Sequence, residues 1–261
     1  MMPLRIAYND QAKLQTVSAS SEVAQYPALN AVHPHLSRVW RTTAVAAQWI
    51  KFDAGVGKTI AFDTACIVGH NLTSTAVVRV QTDDADTWAP PGGVDKSGDP
   101  TQSIIFVDLA PLPTARRYCR VYVDDPANPA GYIQIGRVFL CVRFEGETID
   151  RGFRFSIEDS TVMSRSLTGQ MFADVGVQQK VYSLSLGTMR NATKLALTAV
   201  LQANGQYDPV IVFPSEAAIP GLTGATEAIL PLYACMSKAV SFTDAGGWGW
   251  TDDGVEFREA K

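Results

Sequence analysis

The sequence predicts a mainly β protein built from two consecutive β-sandwich domains, the second of which carries one helix. Three observations predict this fold class. Short segments rich in β-branched and aromatic residues recur along the chain, turn-forming residues separate them, and only one segment has helical periodicity. The chain has 261 residues, of which 46% are hydrophobic, and this is enough for two packed cores.

Six segments in the first half are predicted strands, and most show partial alternation of apolar and polar residues. They are Trp49–Asp53, Ile60–Asp63, Thr75–Val80, Ser103–Asp108, Tyr118–Val123 and Ile133–Leu140. Turn residues separate them at 54–57, 89–93, 110–113 and 125–129. Many short strands without long helices between them are typical of a Greek-key or jelly-roll sandwich.

The pattern changes after about Gly146, so we divide the chain into domains 1–146 and 147–261. The second domain has four predicted strands, at Phe153–Ile157, Gln178–Leu186, Val210–Phe213 and Ile229–Cys235. The helix is predicted over 191–203, because Leu197, Val200 and Leu201 follow helical spacing and Asn204-Gly205 supplies a stop. Within the alternating strand 178–186, Tyr182 is assigned to the polar side, and Val181, Leu184 and Leu186 to the core.

The net charge, the apolar runs and the cysteines indicate which partners and which compartment to expect for this protein. The net charge is −4, and no basic cluster exceeds the pair Arg116-Arg117, so specific nucleic-acid binding is not expected. No apolar run approaches the roughly 20 residues that span a bilayer, and the first ten residues show no secretory signal. We therefore expect synthesis in a reducing cytoplasm, no membrane insertion, and reduced, mostly buried thiols at Cys66, Cys119, Cys141 and Cys235.

One segment is similar to a phosphate-binding loop. Gly55-Val-Gly57-Lys58-Thr59 matches the end of the G-x-x-x-x-G-K-[ST] motif, but Phe52 stands where the first glycine belongs. The segment also joins two predicted strands, whereas the motif opens a helix. We therefore interpret it as a turn.

The remaining polar clusters do not match a catalytic or metal site. His33, His35 and His70 lack further ligands at metal-site spacing. The acidic clusters 83–86 and 124–125 match no Ca²⁺ loop, and no Ser or Cys is paired with a histidine by a known nucleophile motif. The sequence thus predicts a protein that is not an enzyme and has no catalytic, cofactor-binding or metal-binding residues.

An ordered set of segments resembles a known family over residues 20–145. The segments are Tyr26–Asn30, Arg38–Thr42, Trp49–Gly55, Ile67–Leu72, Ala115–Val123 and Gly131–Leu140. Their order resembles the discoidin-like, or galactose-binding-like, jelly roll, in the version found in minor tail proteins of bacteriophages. The resemblance implies that Trp40 plugs one end of the sandwich. It also implies that loops at one end contact sugars, lipids or neighbouring proteins.

The second half resembles the tail-tube-type sandwich of phage distal tail proteins. The segments that carry this resemblance are the strands 153–162 and 178–186, the helix and the strand 209–214. The resemblance implies a structural protein of the virion tail tip or baseplate. Copies would form a ring around the DNA channel and contact the tube, hub and tape-measure proteins. The alternative is a carbohydrate-binding module for adsorption to host-surface glycans, and a third hypothesis is a glycan-processing enzyme, which would need a carboxylate pair. The candidate glycan or protein contacts are Trp88, Trp248 and Trp250.

Overall fold

The computed structural model describes residues 3–109, 115–148, 154–185, 188–213, 231–238, 240–244 and 249–260. Its first eleven strands are β1 (Pro3–Ala7), β2 (Thr16–Ala19), β3 (Trp40–Arg41), β4 (Gln48–Asp53), β5 (Thr64–Val68), β6 (Val77–Asp83), β7 (Asp95–Gly98), β8 (Ile104–Asp108), β9 (Tyr118–Asp124), β10 (Gln134–Ile135) and β11 (Arg137–Cys141). Short 3-10 helices lie at Ala12–Leu14 and Ala28–Val32.

The other eleven strands are β12 (Arg143–Thr148), β13 (Arg154–Asp159), β14 (Val162–Arg165), β15 (Met171–Asp174), β16 (Gln178–Leu184), β17 (Thr188–Met189), β18 (Val210–Phe213), β19 (Leu232–Met236), β20 (Phe242–Asp244), β21 (Trp250–Asp252) and β22 (Val255–Glu259). The helix α1 spans Asn191–Asn204. No helix of the described ranges is long and apolar enough to cross a membrane. The mainly β fold class is confirmed.

The first half is a sandwich of a five-stranded and a three-stranded antiparallel sheet. The strand orders are β2-β4-β9-β6-β7 and β11-β5-β8. Buried side chains from both sheets meet in one core, among them Phe52 and Val121 from the larger sheet and Ile67 from the smaller. Phe52 and Val121 alternate with outward-facing polar or aromatic residues, as a strand with one buried face requires. Ile67 lies in β5, which is buried on both faces.

The second half is built on a seven-stranded sheet of order β12-β1-β18-β19-β22-β16-β13. Helix α1 packs on it through Leu197 and Val200, which share a core with Val212 and Phe257. The helix ends where the backbone N–H of Gly205 donates to the Leu201 carbonyl, with Gly205 at φ 58°. A left-handed residue after the last turn is the usual stop for a helix, so the predicted terminus is confirmed.

Strand β1 lies in this second sheet, although residues 1–146 were predicted to form one unit. It pairs with β12 on one side and with β18 on the other. The predicted division at 146/147 also falls inside β12, which runs to Thr148. A five-residue strand carries no local signal for a partner about 200 residues away. The division into two domains stays a prediction, with β1 outside its predicted place.

Three local predictions are wrong. Ile60–Asp63 forms no strand and only a single bridge from Ile60 to Arg116. The predicted strand 133–140 is broken at Gly136. The backbone N–H of Gly136 donates to the Val68 carbonyl oxygen, and a Cβ at this position would lie 3.0 Å from that oxygen. Tyr182, assigned to the polar side, is buried in the second core. Its neighbour Val181 is buried as well, so both faces of β16 are covered there. Leu186 lies outside the described residues.

The two halves are in contact through a third apolar cluster and through Arg137, whose Nη1 donates to the Tyr233 hydroxyl at 2.5 Å. Cys66 and Phe139 from the three-stranded sheet pack with Phe213 from the seven-stranded sheet. Beside them, Nη2 of Arg137 lies 2.9 Å from Oδ2 of Asp10, and both side chains are fully buried. All four thiols are free; Cys66, Cys119 and Cys141 are buried, as expected, and burial raises the pKa of each of these three thiols.

Candidate functional site

The outer face of the five-stranded sheet carries aromatic and cationic side chains in neighbouring strands. In β9 the apolar residues face inward, so Tyr118, Arg120 and Tyr122 are directed to the outer face and are half-buried. In β4 the same alternation directs Trp49 and Lys51 outward. Trp49 is paired with Tyr122, and Lys51 with Arg120, in the antiparallel register. The alternation of period two thus brings the two rows onto one surface.

Cations lie over the aromatic rings of this outer sheet face. The guanidinium carbon of Arg120 is 4.4 Å from the Trp88 ring centroid and 5.6 Å from that of Tyr122. Lys51 Nζ is 5.6 Å from the Trp49 centroid. Cations at such distances are attracted by the negative ring face, and they order both partners. The rings are therefore held in place before any ligand arrives.

Trp88 reaches this face from the loop between β6 and β7. Asp83, the last residue of β6, accepts hydrogen bonds from the backbone N–H groups of Ala85 and Gly92 and from the Thr87 hydroxyl, which closes the loop. Burial raises the pKa of the Asp83 carboxyl, but these donors outweigh it and hold the pKa below its usual range. The Trp88 indole N–H donates to Asp86 Oδ1 at 2.8 Å.

Between the Trp88 loop and the sheet lies a groove of about 370 Å³, which we call the Trp88 groove. Its lining residues are Val77, Arg79, Gln81, Trp88, Arg120, Tyr122 and Asp124. Nε and Nη2 of Arg120 both donate to Gln81 Oε1, at 2.9 and 2.5 Å. The groove therefore combines aromatic rings with planar hydrogen-bonding groups. That mixture is typical of small-ligand sites, and the volume lies within their usual range.

The end of the sandwich predicted to hold a plug is closed by Trp40. Its side chain is fully buried, and the indole N–H donates to the Ser21 carbonyl at 3.0 Å. The predicted burial is confirmed, and this ring is not available to stack on a sugar. Beside it, Arg41 lies between the rings of Tyr26 and Tyr132, 4.2 and 4.1 Å from their centroids.

A second exposed surface is the hairpin of β13 to β16, residues 154–184, which we call the arm. In the described ranges, strands β14 and β15 pair only with each other, and every residue in them is exposed. Nine of the sixteen exposed large hydrophobic side chains among the described residues lie on the arm. They are Phe155, Ile157, Val162, Met163, Leu167, Met171, Phe172, Val175 and Val177. The arm thus concentrates apolar surface in contact with solvent.

The three predicted contact residues lie in different places. Trp88 lines the groove, Trp250 is half-buried with Lys194 Nζ 3.1 Å from its ring centroid, and Trp248 lies outside the described residues. Trp88 lies in the loop between β6 and β7 and Trp250 in β21, so the two do not line one site. The predictions missed Arg120, Tyr122 and Gln81. The alternation of β9 contains the signal for Arg120 and Tyr122.

The motifs that we interpreted as structural are placed as follows. Gly55–Thr59 forms a turn after β4. The rings of His33 and His35 lie 5.1 Å apart, and His70 Nε2 is 2.7 Å from the Gln102 carbonyl oxygen. Burial lowers the pKa of His70. In the described ranges, no three His, Cys, Asp or Glu side chains are grouped to hold a metal ion.

No protein-family model matches the sequence, and a search of curated proteins found no match. Among solved structures, the chain is similar to a family 32 carbohydrate-binding module of Clostridium perfringens NanJ, in complex with galactose. The identity is 16% and the TM-score 0.39, over 53% of this chain and 99% of that one. A chitosan-binding module from Paenibacillus sp. IK-5 is 18% identical with a TM-score of 0.38, over 50% of this chain and 97% of that one.

A third similar structure is a Ruminococcus gnavus GH29 fucosidase in complex with fucose. It is 15% identical with a TM-score of 0.41, and the match covers 52% of this chain. This chain covers 27% of the fucosidase chain, so most of that enzyme has no counterpart here. The two binding modules, by contrast, are covered over nearly their whole length.

Proposed function

We propose that this chain is a non-catalytic carbohydrate-binding protein whose ligand occupies the Trp88 groove. One observation carries the proposal: in that groove, ordered aromatic rings lie beside planar amide and guanidinium groups. A sugar ring has an apolar C–H face and a rim of hydroxyl groups. Aromatic rings match the first, and side chains that donate and accept hydrogen bonds match the second.

The roles of the groove residues follow from their chemistry. The rings of Trp88 and Tyr122 supply flat apolar surface. Asp124 supplies acceptor oxygens, and the amide nitrogen of Gln81 is a donor without a hydrogen-bond partner among the described residues. Because Gln81 and Arg120 are already bonded to each other, little side-chain freedom is lost when a ligand binds.

Calorimetric titration of the full chain with a panel of neutral and acidic oligosaccharides tests this proposal. We expect saturable binding of at least one of them, and Trp88→Ala should weaken it by tenfold or more because the ring surface is removed. Trp250→Ala is the matched control, since it removes a half-buried tryptophan from another sheet, and it should leave binding unchanged. If no oligosaccharide binds, or if Trp250→Ala has the larger effect, the proposal is wrong.

The exposed arm favours a second function, assembly with further copies of the chain. Phe155 lies 5.8 Å, centroid to centroid, from the ring of Tyr182, which belongs to the second core. The apolar face of the seven-stranded sheet therefore continues onto solvent-exposed β13. Contiguous exposed apolar surface and unpaired strand edges are characteristic of assembly interfaces. This feature supports a structural role in a phage tail tip or baseplate, where neighbouring copies would cover the arm in a ring, together with other tail proteins.

Light scattering on the full chain over a range of concentrations tests this assembly. We expect an oligomer that Phe172→Lys dissociates, because a charge replaces an apolar contact on β15. Leu29→Lys is the matched control: it makes the same kind of change at an exposed apolar side chain of the first half, 66% exposed. A monomer at every concentration, or equal effects of the two substitutions, would contradict the assembly role of the arm.

A further inference from the structure

Three cations on the outer sheet face have carboxylate partners in the described part of the chain, whereas Arg120 does not. Arg79 is paired with Asp95 at 3.0 Å, and Lys51 with Asp86 at 2.6 Å. Arg117 makes a two-pronged pair with Asp53, at 2.8 and 2.9 Å. Arg120, at the centre of the groove, has no carboxylate partner among the described residues. Its hydrogen bonds go to the neutral amide oxygen of Gln81.

The unbalanced guanidinium is also partly removed from water. Trp88 covers one side of it, and burial lowers the pKa of Arg120. A cation that has lost hydration without gaining a counter-charge is destabilised. The bonds to Gln81 use Nε and Nη2, which leaves Nη1 without a hydrogen-bond partner in the described part of the chain. The free end of the guanidinium can therefore accept an anion in a two-pronged arrangement.

The neighbouring carboxylates do not fill this role. Burial lowers the pKa of Arg120. The charges of Asp86 and Asp95 raise this pKa, but they offset only part of the effect of burial. Asp86 is bonded to Lys51 and to the Trp88 indole, and Asp95 to Arg79. Asp124, which lines the groove, accepts a hydrogen bond from the backbone N–H of Ala47. Asp86 and Asp95 are thus neutralised by other cations, and none of the three acids forms an ion pair with Arg120 in the described part of the chain. The free edge of the Arg120 guanidinium is therefore open to an external carboxylate.

We propose that the Trp88 groove selects saccharides that carry a carboxylate, with the carboxylate bound by Arg120. This inference rests on the proposed carbohydrate-binding function and adds the class of sugar. The rings of Trp88 and Tyr122 favour a ligand with a flat apolar face, which an acidic sugar has and a simple anion lacks.

The test compares two probes that differ only in whether their three carboxylates are free or esterified. Trigalacturonic acid and its fully methyl-esterified form are titrated calorimetrically into the full chain. We expect the acid to bind about tenfold to a hundredfold more tightly than the ester, the difference typical of hydrogen bonds to a charged group. Arg120→Gln should remove this preference, so that acid and ester bind alike. Arg258→Gln, which removes an exposed arginine of the second half, should preserve it.

Two further measurements keep the outcome decisive. Arg120→Lys retains the charge without the planar fork and should give an intermediate preference; circular dichroism confirms that each variant is folded.

Equal affinity for acid and ester in the wild-type chain would overturn the inference and leave carbohydrate binding intact. Absence of binding to these probes and to the whole oligosaccharide panel would overturn both. A polyglutamate peptide that binds as tightly as the acid would show that charge alone is recognised, and would also overturn the inference.

Discussion

The outer sheet face and the arm both carry large aromatic or apolar side chains, which are half-buried on the sheet face and exposed on the arm. On the sheet face each aromatic ring of the groove lies beside Arg120; strand register positions Tyr122, and the closed loop after β6 positions Trp88. On the arm, β14 and β15 expose Val162, Met163, Met171 and Phe172, and no cation–aromatic contact covers Phe172 in the described part of the chain.

This difference separates two kinds of surface. Rings that lie beside a cation and are bordered by hydrogen-bonding groups can stay in water and bind a small polar ligand. A strand pair that exposes several large apolar side chains has a strong tendency to be covered by protein. We therefore propose ligand binding for the first surface and assembly for the second. The experiments below test whether substitutions on one surface leave the other surface and the two cores unaffected.

The largest effect is expected in the core that supports the sheet face. Trp40→Ala should lower the free energy of unfolding by about 3–5 kcal/mol, because a fully buried indole is replaced by a cavity. Trp88→Ala should cost about 1–2 kcal/mol, the scale of a cation–aromatic contact between half-buried groups. Urea unfolding followed by circular dichroism compares the two. Equal losses would show that Trp88 is part of the fold and would weaken the contrast.

On the arm, the same measurement should show almost no change. Phe172→Lys should alter the free energy of unfolding by less than about 0.5 kcal/mol at concentrations where the chain is monomeric, since the side chain is 55% exposed. A loss of several kcal/mol would mean that the arm packs against its own chain, and the assembly role would lose its support.

The smallest effect concerns a balanced cation on the sheet face. The hydrogen bonds from Arg117, with smaller contributions from other groups, hold the pKa of Asp53 below its usual range. A depressed carboxyl pKa adds stability that is present above pH of about 4 and is lost as pH falls through the native pKa. Arg117→Gln should raise the pKa of Asp53 in an NMR titration. An unchanged pKa would show that this ion pair does not persist in solution.

Local patterns predicted much of the fold. The alternation in 118–123 and the helical spacing of Leu197, Val200 and Leu201 are properties of neighbouring residues, and both elements lie where they were predicted. The partner of β1 was missed because strand pairing over about 200 residues leaves no local pattern. Tyr182 was assigned to the polar side because a hydroxyl appears polar, while its ring packs with Phe257 in the core.

The groove could be predicted only in part. Trp88 was identified from its position in a loop, and the outward direction of Arg120 and Tyr122 follows from the alternation of β9. Their convergence depends on the strand order β4-β9-β6, which places Gln81 beside Arg120. That order is set by contacts far apart in sequence. For the same reason, the absence of a carboxylate partner for Arg120 in the described residues becomes visible only in the folded chain.

The central claim is that a saccharide occupies the Trp88 groove, and the indole N–H signals of the five tryptophans test it most directly. In a ¹⁵N-labelled sample titrated with trigalacturonic acid, we expect the Trp88 signal to shift most and that of Trp49, on the same face, to shift less. Those of Trp40 and Trp250 should stay in place. Saturable shifts centred on Trp250, or no shift at Trp88 while calorimetry detects binding, would contradict the claim and place the site elsewhere.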